Sequence, residues 1–339
     1  ELGAALRQIA GKGIDAFYRG AIAEDIVATL RAAGGDHSLD DLASHAGEWV
    51  TPIATEYAGR SIAELPPNGH GVTALIILNI LRRLDDRGGD PGSARRYHLL
   101  LEAARLAYAV RDAFVADPAK AEVPVEHMLS EALADALAAR IDATRRRDDL
   151  GPVPRPKASD TIYLCVVDGD GVAVSFINSV YWSFGSTIAT PRTGIWLQNR
   201  GLGFNLQRGH PNAIAPGKRP LHTIIPGMAL VGAAPEIVFG VMGGAYQPVG
   251  HATVVTGMLD FGLDPQQALD APRVFFGEDG LVAEPSLPPS VARDLETMGH
   301  RVSFSEDPHG GGQIIRFDRA RGVLEGGSDP RKDGLALGI

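Results

Sequence analysis

An α+β fold of stacked helical and β layers is predicted from three observations. Helical periodicity dominates the chain up to Arg146. A proline-rich break follows, reading DDLGPVPRPKASD from Asp148 to Asp160. Beyond it the chain turns to apolar, β-rich runs before helices return, the order expected when helices and sheets pack as separate layers.

Leu2 to Ile9 reads as helix, and Ala21 to Ala33 keeps a helical period until Gly34-Gly35 stops it. Ser38 followed by Asp41 is a capping signal for the next helix. Trp49 to Tyr57 and Ser61 to Leu65 read as short strands, and Pro66-Pro67-Asn68-Gly69 is a turn leading to a helix over Gly71 to Arg83. Arg95 to Phe114 and Val125 to Arg146 carry two long helical patterns. Prolines 152, 154 and 156 forbid helix in the break, which is therefore extended and exposed, either a linker between layers or a processing loop. Thr161 to Val167 and Val172 to Asn178 flank the turn Asp168-Gly169-Asp170-Gly171, a hairpin. Further strands are predicted at Gly194–Leu197, Thr223–Val231, Ile237–Val241, Val302–Phe304 and Gln313–Phe317, with helices at Val249–Leu259 and Pro265–Leu269.

Composition narrows the function classes. The chain has 339 residues, 45% of them hydrophobic and 22% charged, enough to bury a large core. A net charge of −9 and the lack of a long basic run speak against a nucleic-acid surface. Arg145–Arg147 closes a helical stretch, where cations complement the helix dipole. The single cysteine, Cys165, excludes a disulfide within the chain and sits in an apolar run as a small core residue. No stretch reaches the ~20 apolar residues of a membrane helix. The chain opens at Glu1 without methionine, directly in helix, so the true N-terminus is expected to lie upstream and the compartment stays open, with a bacterial cytoplasm favoured over the periplasm. Gly201-Leu-Gly203 lacks the strand-to-helix setting of a dinucleotide fingerprint, the ten histidines show no His-x-x-x-His spacing, and pairs such as Asp40-Asp41 and Asp148-Asp149 sit in turns or at helix starts. No metal and no cofactor are expected. His70, His98, His210, His251 and His309 read as structural or exposed.

Thr161 stands at the start of an apolar strand, directly after the proline-rich segment. A threonine hydroxyl is a poor nucleophile unless a base adjoins it, and an N-terminal threonine supplies that base with its own α-amine. Cutting the Asp160–Thr161 bond would create such a residue on a rigid element, with χ1 restricted by β-branching. On pattern alone Thr161 reads as an ordinary strand-opening threonine.

The run Thr161-Ile-Tyr-Leu-Cys-Val-Val-Asp168 followed by Asp170-Gly-Val-Ala-Val-Ser175 resembles the start of the small subunit of gamma-glutamyltransferases. The likeness continues through Phe184-Gly185, Thr193-Gly194-Ile195, Pro216-Gly-Lys-Arg-Pro220, Met242-Gly243-Gly244, Asp270-Ala-Pro-Arg273 and Ser328-Asp-Pro-Arg331. Phe17-Tyr18-Arg19-Gly20-Ala21-Ile22-Ala23, Glu64-Leu-Pro-Pro67 and Glu102-Ala103 with Asp117-Pro118 resemble the end of the family's large subunit, whose upstream portion is missing here.

The resemblance implies a four-layer αββα sandwich of the N-terminal-nucleophile (Ntn) hydrolase type. Residues 1–160 would be the end of the large subunit, mostly helical, and residues 161–339 the small subunit. It implies self-cleavage between Asp160 and Thr161, an αβ heterodimer afterwards, and attack by Thr161 on a gamma-glutamyl amide such as glutathione. The acyl-enzyme would pass its acyl group to water or to an amino-acid or peptide amine. Gly243 and Gly244 fall on the family's oxyanion hole, where bare backbone N–H groups can reach a developing oxyanion. Ser179 matches a second threonine that supports the nucleophile.

Four positions depart from the family pattern. Tyr181 replaces an asparagine after the second threonine, Arg200 a glutamine, Gly203 the aspartate that pairs with a substrate amine, and His222-Thr223 a serine pair. Tyr181, Arg200, His222 and Thr223 are the expected substrate-binding residues. Loss of the anion and gain of a guanidinium favour a substrate with a carboxylate and no α-amine. The resemblance therefore extends to a divergent branch that includes oxamate amidohydrolase-like and acylase-like members. A small anionic amide such as oxamate is the alternative substrate, and a non-catalytic protein on the same fold is the alternative to an enzyme.

Overall fold

The computed structural model describes residues 1–84, 89–150 and 161–339. These residues form two compact units, one of residues 1–50 with 180–200 and one of residues 51–179 with 201–339.

The first unit holds α1 (Leu2–Lys12), α2 (Asp15–Tyr18), α3 (Ala21–Ala32) and α4 (Leu39–Ala43). Ala5, Ile22 and Ile26 form its small core, with Ile195 and Leu197 packed on them. Ser38 caps α4 and Asp41 answers to the Ser38 backbone, the capping box read from the sequence. Asp25, buried on α3, accepts hydrogen bonds from the backbone N–H groups of Arg192 and Thr193 and thereby fixes the turn into Gly194.

The second unit is built on an antiparallel sheet whose described strands are six, in the order β1 (Ile53–Tyr57), β2 (Arg60–Glu64), β5 (Gly227–Val231), β6 (Ala234–Met242), β10 (Gly311–Asp318) and β11 (Val323–Ser328). On one face lie α5 (Gly71–Leu81), α6 (Ala94–Phe114) and α9 (Gln247–Leu259). The other face receives the hairpin of β3 (Thr161–Val167) and β4 (Ala173–Ser179). Neighbouring residues of β6 show both sides. A Cβ on Gly240 would strike the ring of Tyr163 on β3, while Val241 lies against Gly250 of α9. Residues 237–242 of β6 are buried on both faces, which is why this strand reads as one apolar run. Two short helices, α7 (Val125–Met128) and α8 (Glu131–Ala138), flank α5. A side sheet of β7 (Val274–Phe276), β8 (Leu281–Ala283) and β9 (Val302–Phe304) follows α10 (Pro265–Asp270) and carries α11 (Pro289–Thr297). Buried Asp329 joins it to β10 by accepting from the Arg273 and Arg331 guanidiniums and from the Gly312 N–H.

The hairpin is in register from Thr161↔Ser179 to Val167↔Ala173. Thr161, Tyr163 and Cys165 face the large sheet. Ile162, Leu164, Val166, Val174 and Phe176 face outward and are exposed.

Several elements differ from the sequence expectation. The predicted helix over Val125–Arg146 is two short ones, because Ser130 caps a new start and Asp142 turns the chain by accepting from the Thr144 N–H. The strand predicted over Thr223–Val231 begins only at Gly227, after Pro226, which has no N–H for a ladder. Gly194–Leu197 makes only an isolated bridge, Ala189↔Trp196.

Candidate active site

Thr161 opens β3 and is buried, 7% exposed. Its hydroxyl donates to the Ser179 hydroxyl at 3.2 Å, a contact fixed by the cross-strand pairing of the two residues at the open end of the hairpin. The hairpin is anchored further in. The Tyr163 hydroxyl shares a hydrogen bond of 2.8 Å with the Ser175 hydroxyl, which in turn donates to the Phe239 carbonyl of β6. Tyr163, Ile177 and Met242 form an apolar cluster joined by Cys165 and Ile224. This cluster ties together the strand of Thr161, the residue before Gly243 and the residue after Thr223. Burial pushes the Cys165 thiol up to about 11, so it stays protonated and inert at neutral pH.

Gly243 and Gly244 follow β6 in left-handed conformations, φ 116° and 57°. A Cβ on Gly243 would lie 2.8 Å from the Gly310 Cα, so the position demands glycine for space as well as for φ. A short 3-10 turn over Gly244–Tyr246 runs into α9. The Tyr108 hydroxyl on α6 donates to the Ala245 carbonyl, holding this turn from below.

His222 and Thr223 lie just before β5. The His222 N–H donates to the Asn68 carbonyl, the His70 N–H to the His222 carbonyl, and the His70 ring to the Thr223 carbonyl at 2.8 Å. Burial holds the His70 imidazole well below its usual range, so it is neutral. At Gly203, a Cβ would lie 2.7 Å from the Leu221 carbonyl oxygen.

Tyr181 and Arg200 belong to the first unit. Tyr181 has φ 85°, a region that bulky residues rarely occupy and that is found where function imposes strain. Its ring lies 5.5 Å from the Arg200 guanidinium and stacks on Trp182. Burial lowers the Arg200 pKa to about 10, still cationic at neutral pH. Asp160 lies outside the described residues. Among the described residues no group of three His, Cys, Asp or Glu side chains is arranged to hold a metal ion, and no helix is long and apolar enough to cross a membrane.

A sequence model of the gamma-glutamyltranspeptidases matches residues 1–339. The chain belongs to the gamma-glutamyltranspeptidase family. Within that family it is 40% identical over 348 residues to the glutathione hydrolase-like YwrD proenzyme of Bacillus subtilis, covering 100% of this chain and 65% of that protein. It is 36% identical over 350 residues to the oxamate amidohydrolase proenzyme of Klebsiella pneumoniae, covering 99% and 64%. Among solved structures, the cephalosporin acylase from Bacillus halodurans is similar with a TM-score of 0.90 and 41% identity over 98% of this chain and 61% of that one. The chain thus spans 61% to 65% of the length of these relatives.

Sequence reasoning singled out Thr161, Ser179, the glycine pair and the His222-Thr223 segment. It read the buried His70 and His251 behind them only as structural or exposed, used Glu64 only as part of the Glu64-Leu-Pro-Pro67 run, and passed over Gln247. A polar residue on an all-apolar helix face was the available signal.

Proposed function

We propose that this chain carries the catalytic part of a self-processing Ntn amidohydrolase with Thr161 as nucleophile, released by scission of the Asp160–Thr161 bond. The observation that carries it is the buried Thr161 hydroxyl, 3.2 Å from Ser179 at the open end of a hairpin anchored to β6. The proposed fold is the four-layer αββα sandwich. The helices of α5, α6 and α9, the large sheet and the hairpin supply three layers, and a further helical layer would cover the hairpin's outer face. Residues 1–160 and 161–339 would be the two subunits of an αβ heterodimer.

In the proposed reaction the Thr161 Oγ–H proton passes to the residue's own α-amine as Oγ bonds to the amide carbon. The carbonyl electron pair moves to oxygen, where the Gly243 and Gly244 N–H groups would receive it, each worth ~3 kcal/mol of barrier. Collapse expels the amine, which takes the proton from the α-ammonium and leaves an ester on Thr161. Water, or an acceptor amine, then bonds to the ester carbon as its proton passes to the α-amine; the carbon–Oγ bond breaks, Thr161 Oγ takes the proton back, and the acyl group leaves on the acceptor. An α-amine with its usual pKa of about 7.7–8.0 is a suitable base for this cycle near neutral pH.

A gamma-glutamyl amide such as glutathione is the first substrate reading. A specific observation favours a second, a small anionic amide such as oxamate. The family's amine-pairing aspartate cannot be accommodated at position 203 without moving the Leu221 backbone, and a buried cation stands at position 200. Mass and N-terminal sequence of the denatured protein test the nucleophile. Two polypeptides, one beginning Thr-Ile-Tyr-Leu, support it, and a single uncut, inactive chain refutes it. Turnover of gamma-glutamyl-p-nitroanilide, glutathione and oxamate then separates the substrate readings.

A further inference from the structure

Behind the candidate oxyanion loop lies a set of buried polar side chains that the proposed reaction does not use. Glu64 ends β2 and is 2% exposed, while His251 on α9 is 1% exposed. His251 Nδ1 lies 2.6 Å from Glu64 Oε1, and His251 Nε2 lies 3.2 Å from the Val241 backbone nitrogen. An amide can only donate, so Nε2 holds the lone pair and Nδ1 the proton, which it donates to Glu64. Val241 sits two residues before Gly243. The strand β5 begins at Gly227, opposite Phe239, so past Phe239 β6 has only β10 as a strand neighbour among the described residues, and His251 supplies the missing acceptor.

Gln247 stands one helical turn before His251, on the same face of α9, and is fully buried. Its Oε1 accepts from the Ile225 N–H at 3.1 Å. The first turns of α9 therefore bond both to the strand leading into Gly243-Gly244 and to the segment that follows His222-Thr223. His70, the residue just before α5, clamps the Thr223 carbonyl beside it. Glu64 Oε2, His70 Nδ1 and Gln247 Nε2 are buried with no hydrogen-bond partner among the described residues. Such orphan atoms cost stability, and a well-packed apolar set would avoid the cost. Retaining polar groups here gives the backbone acceptors and donors that apolar residues cannot provide.

Resting on the Ntn reading above, we propose that Glu64, His251 and Gln247 are positioning residues that hold the oxyanion glycines in register with the His222–Ile225 segment, Glu64 acting by fixing the His251 tautomer. None touches the reacting atoms. The effect falls on kcat, because the donors matter most when charge develops on oxygen.

The test uses His251→Phe, Glu64→Gln and Glu64→Leu in the full-length protein, each checked for folding by circular dichroism. His251→Phe keeps the aromatic edge against Phe239 and removes the acceptor. Its kcat on the amide that the wild type turns over is expected to fall about 10- to 100-fold with KM changed less than about threefold. Glu64→Gln can still accept from Nδ1–H and is expected to keep kcat within about threefold, whereas Glu64→Leu matches the His251→Phe loss. Full kcat in folded His251→Phe, or equal damage in the two Glu64 variants, overturns the proposal. If His251→Phe does not fold, the contrast between the Glu64 variants decides on the same criterion. Amide hydrogen exchange at Val241 gives a readout independent of activity, and loss of the acceptor should speed it about tenfold or more. An inactive, uncut wild type would count against the Ntn reading, while the exchange result would still stand for or against the positioning.

Discussion

Gly240→Ala probes how the strand of the proposed nucleophile, Thr161, is held. An ideal Cβ at Gly240 would sit 2.2 Å from Tyr163 Cε2, and ordinary contact begins at 3.4 Å, so 1.2 Å must be opened between β6 and the ring. Tyr163 cannot simply rotate away. It is 4% exposed, packs against Ile177 and Met242, and is tethered through its hydroxyl to Ser175. Overpacking of this kind costs about 1–3 kcal/mol, a Tm lowered by about 1–4 °C for a chain of this size. The displacement passes along β3 to Thr161, two residues away on the same face. A misplacement of about 1 Å at a reacting group costs ~100-fold in rate. The assay follows the appearance of the polypeptide beginning at Thr161 by intact mass, beside a thermal melt. The double variant with Tyr163→Leu makes room and should recover much of the Tm. A Gly240→Ala protein that matures and melts like wild type would refute the idea that ring-on-glycine contact sets the depth of β3.

Other expectations can be checked alongside. Ser179→Ala removes the partner of the Thr161 hydroxyl and should slow acyl transfer about tenfold, the worth of one hydrogen bond, with stability little changed. Arg200→Gln should lower kcat/KM for oxamate by roughly 10- to 100-fold while sparing an uncharged amide, and equal effects on both would remove Arg200 from substrate recognition. Burial pushes the Glu284 carboxyl up, but its bonds to Arg331 and the charges of Arg331 and Arg273 outweigh that and hold its pKa below 4.5. The stability it contributes is therefore complete above pH ~4.5 and lost as pH falls through the lowered value. Urea melts from pH 6 to 3 should show an acid limb that Glu284→Gln flattens.

Much of the fold was legible because the second unit is built from strongly patterned pieces. The β3 strand was read at its true limits, Thr161–Val167, since a turn of Asp and Gly follows an unbroken β-rich run. The α5 and α6 helices were found within two residues at either end. The side sheet was not foreseen beyond β9, because its strands are three residues long and its order is set by a parallel pairing between β8 and β9. The β11 strand was hidden by Gly326-Gly327; a Cβ at the second of these would collide with Pro265. At the candidate site, glycines and hydroxyls announced themselves by motif. The Glu64–His251 pair did not, since its partners lie 187 residues apart in sequence and meet only when β2 packs beside α9.

The hairpin also carries a timetable. Its strands are joined by a five-residue connection and pair locally, so it can form within about 1–10 μs. The sheet it rests on must wait for β2 to find β5, contacts remote in sequence and slow to close. Leu164 against Phe176 and Val166 against Val174 therefore face water early, on a strand pair that could recruit another chain. On the reading proposed above, the nucleophile's strand is made before the glycines it needs arrive. Bond scission at Thr161 then becomes a clock that starts only when β6 has docked, and the interval before it is when the exposed strand pair is most open to mispairing.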